Sequence, residues 1–198
     1  MATTLIDHQE LGSTAWDNSS TDKTIWQKGS ISNSYDHLLV IGSIRSAASA
    51  YWQNLWIRVG NGGLDTGSNF SSTYLSNVNQ GSAISGRATG QTKWAYQYVQ
   101  ADWGRTDNFS IVKIWIPNYA VSSNGMKQVF IQTAVVNDSN NTAQGSMTMT
   151  AGLWGSQSAI TDIGVSEPNS GFKTYTDFTL YGICLLYTSP SPRELSTS

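Results

Sequence analysis

"HLLVIGSIRS", residues 37–46, decides the fold. Leu38, Val40, Gly42 and Ile44 alternate with Leu39, Ile41, Ser43 and Arg45. A period of two sends successive side chains to opposite faces of a strand and cannot form one stripe on a helix. "NLWIRVG", residues 54–60, repeats the pattern with Leu55, Ile57 and Val59 set against Trp56 and Arg58. No window of about 12 residues keeps the i, i+3, i+4, i+7 apolar stripe that a helix needs. Further strands are expected over 24–31, 70–75, 94–100, 109–116, 127–136, 146–151, 160–165 and 175–183, with an N-terminal one over 5–11. About ten short antiparallel strands separated by Gly, Asn and Ser turns predict an all-β protein, a sandwich or a barrel. "IVKIWIP", residues 111–117, is apolar on both faces. It is expected to be a central strand covered on each side and ended by Pro117, which lacks a backbone donor.

A chain of 198 residues is long enough for one core, removing roughly 70% of the unfolded surface from water. There is no fixed-period repeat and no dividing linker. Residues 1–23 are therefore expected to be an arm or edge strand and 24–183 the sandwich. "STAWDNSSTDK", residues 13–23, is the most loop-like part and is expected to reach a neighbouring subunit. After the strand-like "TDFTLYGI" the composition changes to "CLLYTSPSPRELSTS", residues 184–198. "CLLYTSPSPR" resembles the translated read-through of a transposase-type sequencing adapter, so 184–198 is expected to be a non-native tail. The apolar Leu185 and Leu186 leave room for the last strand to run on into it.

Lys and Arg number 11 against 13 Asp and Glu, and neither sign gathers into a run. The field that would attract nucleic acid or anionic lipid is missing, so neither is an expected partner. Charged residues make up only 12% of the chain, and Ser, Thr and Asn do the polar work instead. No apolar run approaches the roughly 20 residues that span a bilayer, and "MATTLIDHQE" lacks the basic start and apolar core of a signal peptide. A product outside the membrane and the secretory route is expected. His8 and His37 lie far apart and Cys184 is the single cysteine. No disulfide framework, no metal site and no cofactor are expected.

"IRVGNGGLDTGSNFSSTYL", residues 57–75, holds the densest group of Gly, Asn and hydroxyl side chains. Asn61-Gly62 supplies the residues a tight hairpin turn favours. A phosphate loop would need a Lys-Ser/Thr pair or a following helix, and neither is there. A calcium loop would need several oxygen ligands, more than one usually anionic, yet Asp65 is the single acid between Arg58 and Lys93.

The same stretch resembles the "IRFNGDTGSNYSSHRL" pattern of small jelly-roll proteins encoded by tailed, often marine, bacteriophages and described as virion structural or tail proteins. "SYDHLLVIGSIRS" is similar to that family's "TYTHLxLxGxxRS". "IWIPNYA", "AGLWGSQSAIT" and "YTDFTLYGI" extend the resemblance in order over most of residues 25–183. On this resemblance Asn61, Asp65, Gly67, Ser68 and Asn69 occupy the family's turn motif. Gly152, Leu153 and Trp154 occupy its "SGLW" bend, with Ala151 in place of Ser. "GNGGLDTG" stands where the pattern is nearer "NGDTG", an insertion. The resemblance implies a jelly-roll virion part, in a tail fibre or surface appendage, and carries no catalytic residues.

Reactive constellations are hard to assemble. The strand-borne acids Asp102, Asp162 and Asp177 have no spacing that brings two of them to one bond. A Ser-His-Asp triad would depend on His8 or His37, with no G-x-S-x-G setting for the serine. A non-enzymatic role is expected. A binding surface has more support: Trp56 and Arg58 point away from the core face, and Trp52, Trp94, Tyr96 and Tyr98 lie in or beside neighbouring strands. Such rings serve a core, a subunit interface or a host-surface glycan. The contact candidates are Trp52, Trp56, Arg58, Asn61, Asp65 and Asn69. The expected partners are copies of this chain, other virion proteins and a host glycan, and the expected location is the virion. A carbohydrate-binding module and a capsid decoration protein are the alternatives.

Overall fold

The computed structural model describes residues 2–11, 24–77, 82–123, 125–139, 142–168 and 170–185. They form twelve strands: β1 (Ala2–Glu10), β2 (Thr24–Lys28), β3 (His37–Ile44), β4 (Trp52–Gly60), β5 (Phe70–Asn77), β6 (Ile84–Gln91), β7 (Trp94–Gln100), β8 (Ser110–Pro117), β9 (Lys127–Ser139), β10 (Thr142–Trp154), β11 (Asp162–Ser166) and β12 (Asp177–Cys184). Among the described residues no helix occurs, so none is long and apolar enough to cross a membrane. Residues 13–23, read as an arm, and Leu186 lie outside the described residues.

The strands make two antiparallel sheets, one of eight in the order β1-β12-β3-β8-β9-β10-β5-β6 and one of four in the order β2-β11-β4-β7. The chain passes back and forth between them. β2, β4, β7 and β11 belong to the smaller sheet, and the segments between them to the larger. Leu38, Val40 and Ile44 of β3 and Leu55, Ile57 and Val59 of β4 are all buried, so both alternating segments place their apolar set in the space between the sheets. Aromatic rings join the layers there. Trp26 of β2 stacks on Phe178 of β12 at 5.0 Å, and Trp94 of β7 meets Phe70 of β5 edge-on at 5.0 Å. Gly152 of β10 lies under Trp94: a Cβ at that position would fall 2.7 Å from the indole nitrogen and 2.5 Å from Val129 Cγ1.

Four features depart from the expectations. β8 is central, but alternates buried Val112, Ile114 and Ile116 with Ile111, which is 64% exposed. It is covered on one face only. β11 is buried on both faces. Its register sets Gly164 beside Arg58 and Ser166 beside Trp56, and those large neighbours shield its small outward residues.

β6, "ISGRATGQ", was not anticipated because only Ala88 in it is buried. An edge strand held by one ladder needs no apolar alternation. Third, "NGG" closes only a local reversal, the single antiparallel bridge Gly60↔Leu64, and not a hairpin between β4 and β5, which belong to different sheets. The loop crosses the sandwich, and the left-handed positions fall at Gly62 (φ 72°) and Gly63 (φ 137°) and not at Asn61. Fourth, the N-terminal strand expected over 5–11 begins already at Ala2: β1 takes the edge of the larger sheet, as an edge strand was expected to, and pairs with β12 from Ala2↔Cys184 to Glu10↔Asp177. The last strand stops at Cys184, and the Leu185 N–H turns aside to Asp36 Oδ2 at 2.6 Å.

Candidate functional site

Strand order and register turn the outer face of the eight-stranded sheet into a grid. One transverse row runs Leu39, Trp115, Phe130, Ala151, Thr73, Arg87, each directly opposite the next. The adjoining row runs Ile41, Lys113, Gln132, Met149, Leu75, Ser85. Among the described residues nothing covers this face: Ile41, Leu75, Ile111 and Met147 are 41%, 48%, 64% and 53% exposed. Exposed apolar side chains gathered on one sheet face, here interleaved with Lys113, Gln132 and Ser85, make this face the candidate contact surface.

Where the large rings of β8 and β9 give way to the small Ala151 and Thr73, the face sinks into an open groove of about 520 Å³. Trp115, Pro117 and Phe130 line one side and Arg87 the other, with Gln128 and Leu153 beside them. Arg87 is the single charged residue among those lining it. Four strand spacings separate Trp115 from Arg87, about 19 Å.

The residues singled out in the sequence lie elsewhere, and of them Asp65 and Asn69 meet in a hydrogen bond. Trp52 rests edge-on against Tyr98, ring centres 4.8 Å apart. Trp56 does turn outward, but Lys93 Nζ sits 3.2 Å above its ring centre and occupies one face. Arg58 is not the exposed contact expected of it. It is 4% exposed, and its Nε donates to Thr92 O at 3.1 Å.

Asn61, Asp65 and Asn69 are on the sheet-crossing loop, where their polar groups brace the chain. Asn61 donates to Ala159 O at 2.8 Å. Asp65 accepts from Gly67 N at 2.7 Å, Asn69 Nδ2 at 2.8 Å and the Trp154 indole N–H at 2.7 Å. Partial burial works to raise the Asp65 carboxyl. The three hydrogen bonds favour its charged form more strongly and hold it below the ordinary carboxylate value. The left-handed glycines leave their N–H groups free to anchor the same loop to β11: Gly62 N donates to Thr161 Oγ1 and Gly63 N to Asp162 Oδ2, both at 2.9 Å.

The three strand-borne acids are engaged separately. Asp102 lies beyond β7 in a cluster with Arg45 at 3.4 Å and Lys173 at 2.8 Å. Asp162 anchors the loop. Asp177 begins β12 opposite Glu10, where burial raises its carboxyl and His8 opposes the rise. Glu167, fully buried, accepts from Ser46 Oγ at 3.0 Å and from the N–H groups of Ser170 and Gly171 at 2.6 and 2.8 Å.

Fold and groove define a two-sheet β-sandwich with an open, aromatic-walled depression on the face of its larger sheet. Comparison with protein-family models, with curated proteins and with solved structures finds no match to this chain. Trp115, Phe130 and Arg87 were not among the residues singled out in the sequence. A signal for two of them was there: a strand apolar on both sides has either two covered faces or one sticky one, and "IVKIWIP" and "VFIQ" are of the second kind.

Proposed function

We propose that this protein is a non-enzymatic structural component of a phage particle, a jelly-roll sandwich serving in a tail fibre or surface appendage. The observation that carries the reading is the hydrogen bond from Trp154 to Asp65 at 2.7 Å. It joins two segments 89 positions apart, the turn motif and the "GLW" bend that carry the resemblance to phage virion proteins. The shared residues are used to hold shape.

Strand order supports the jelly-roll part. With β5–β6 and β9–β10 set aside as added hairpins, the sheets read β1-β12-β3-β8 over β2-β11-β4-β7, the arrangement made by two interlocked Greek keys. Copies of this chain and other virion proteins are the proposed partners, since particle parts are built as symmetric assemblies. A second reading, glycan recognition, is favoured by the groove between Trp115 and Arg87.

Mass spectrometry of purified particles separated into heads and tails tests the proposal. Peptides of this chain in the tail fraction are expected. Finding them only in tailless heads favours a decoration protein, and absence from both fractions overturns every particle reading.

A further inference from the structure

We propose that the groove on the outer face of the eight-stranded sheet binds an acidic saccharide, with Trp115 and Phe130 as the stacking wall and Arg87 as the carboxylate anchor. The proposal does not depend on the particle reading. Its first support is shape: about 520 Å³ is within the range of small-ligand sites, and the groove is open along the sheet, as an oligosaccharide requires and an enclosed cofactor does not.

Chemistry is the second support. A sugar ring presents polarised C–H groups on one face and hydroxyls around its rim. The electron-rich face of an aromatic ring suits the former, and amide and hydroxyl groups suit the latter. Trp115 and Phe130 are directly opposite on β8 and β9, and Gln128 and Thr73 line the same groove. Among the described residues the Gln128, Thr73 and Arg87 side chains make no hydrogen bond or ion pair. They differ in this from the loop side chains Asp65 and Asn69, which are already bonded to each other.

Charge selects the class of sugar. Arg87 is the one ionised group lining the groove, and Lys113 is one residue row away on β8. None of the residues lining the groove is an acid; along these strands Asp138 falls eight positions beyond Phe130 on β9, and Glu10 and Asp177 stand at the far β1–β12 edge. An uncompensated guanidinium accepts a carboxylate in a two-pronged geometry. An acidic oligosaccharide, several rings long, spans the distance and supplies that carboxylate on one ring and a stacking face and rim hydroxyls on the others.

Titration calorimetry with oligogalacturonate, its methyl ester and oligosialate tests this directly, with polyglutamate as the acidic peptide control. At least one of the two acidic saccharides is expected to bind. Arg87→Gln and Phe130→Ala, with folding checked by circular dichroism, are each expected to weaken that binding about tenfold or more. Trp56→Ala, on the other sheet, is expected to leave it unchanged. Where oligogalacturonate binds, its methyl ester is expected to bind as weakly as Arg87→Gln binds the acid. Binding by neither acidic saccharide, binding indifferent to Arg87→Gln, or equal binding of polyglutamate would overturn the proposal. Arg87 is exposed on an edge strand, so its substitution leaves the fold intact.

Discussion

Trp154 donates its indole N–H to Asp65 Oδ2 at 2.7 Å, and the same oxygen takes Asn69 Nδ2 at 2.8 Å. One carboxylate thus ties the end of β10 to the loop that carries the chain from one sheet to the other. A glycine-rich stretch that could be mistaken for a ligand cradle is a brace, because the acid within it already has three donors.

Acid weakens this brace. The three donors hold Asp65 below its ordinary value of 3.8, which the unfolded chain keeps. The stability it contributes is fully present above that ordinary value and is lost as pH falls through the lowered folded value. Thermal melts from pH 6 to pH 2 should show a falling midpoint at the acid end, and Asp65→Asn should show a smaller fall. An unchanged acid limb in the variant would remove Asp65 from the account.

β8 offers a test of which face is covered. Ile114 is fully buried and Ile111 is 64% exposed, three residues away on the same strand. Ile114→Ala should lose about 2–5 kcal/mol in urea unfolding, whereas Ile111→Ala should stay within about 0.5 kcal/mol. Equal losses would mean that a second layer covers the outer face.

Gly152 permits a close approach. Its α-carbon faces Trp94 and Val129, and an added methyl would meet both within 2.8 Å. Gly152→Ala should therefore destabilise by about 1–3 kcal/mol, as overfilled cores do. Gly125, where a Cβ meets nothing within 4 Å, is the control, and equal effects at the two glycines would contradict the packing.

The buried Glu167 carboxylate holds the segment after β11. Glu167→Gln keeps one oxygen for the N–H groups of Ser170 and Gly171 but removes the charge that strengthens both bonds and puts an NH2 where the oxygen accepted from Ser46, and should lose about 1–3 kcal/mol. A neutral result would mean that water reaches the pair.

Period-two alternation made β3 and β4 legible down to the buried residue, since a half-covered strand must repeat every second position. β6 was not legible: an edge strand carrying Gly86, Arg87 and Gly90 buries almost nothing. The sheet-crossing loop was recognised as a turn, but which strands it joins depends on pairing partners far away in sequence. Arg58 does turn away from the core, yet its burial depends on Thr92, 34 positions on. Trp115 and Phe130 were visible as apolar residues, while the openness of their face emerges only when the sheets are stacked.

The central claim is that the turn motif holds the sandwich together, and a double-mutant cycle on Asp65→Asn and Trp154→Phe, read by urea unfolding, tests it most directly. Both single variants should be destabilised and should couple by about 1 kcal/mol, with the native two-sheet circular dichroism retained. Full wild-type stability in Asp65→Asn, with no coupling to position 154, would contradict it.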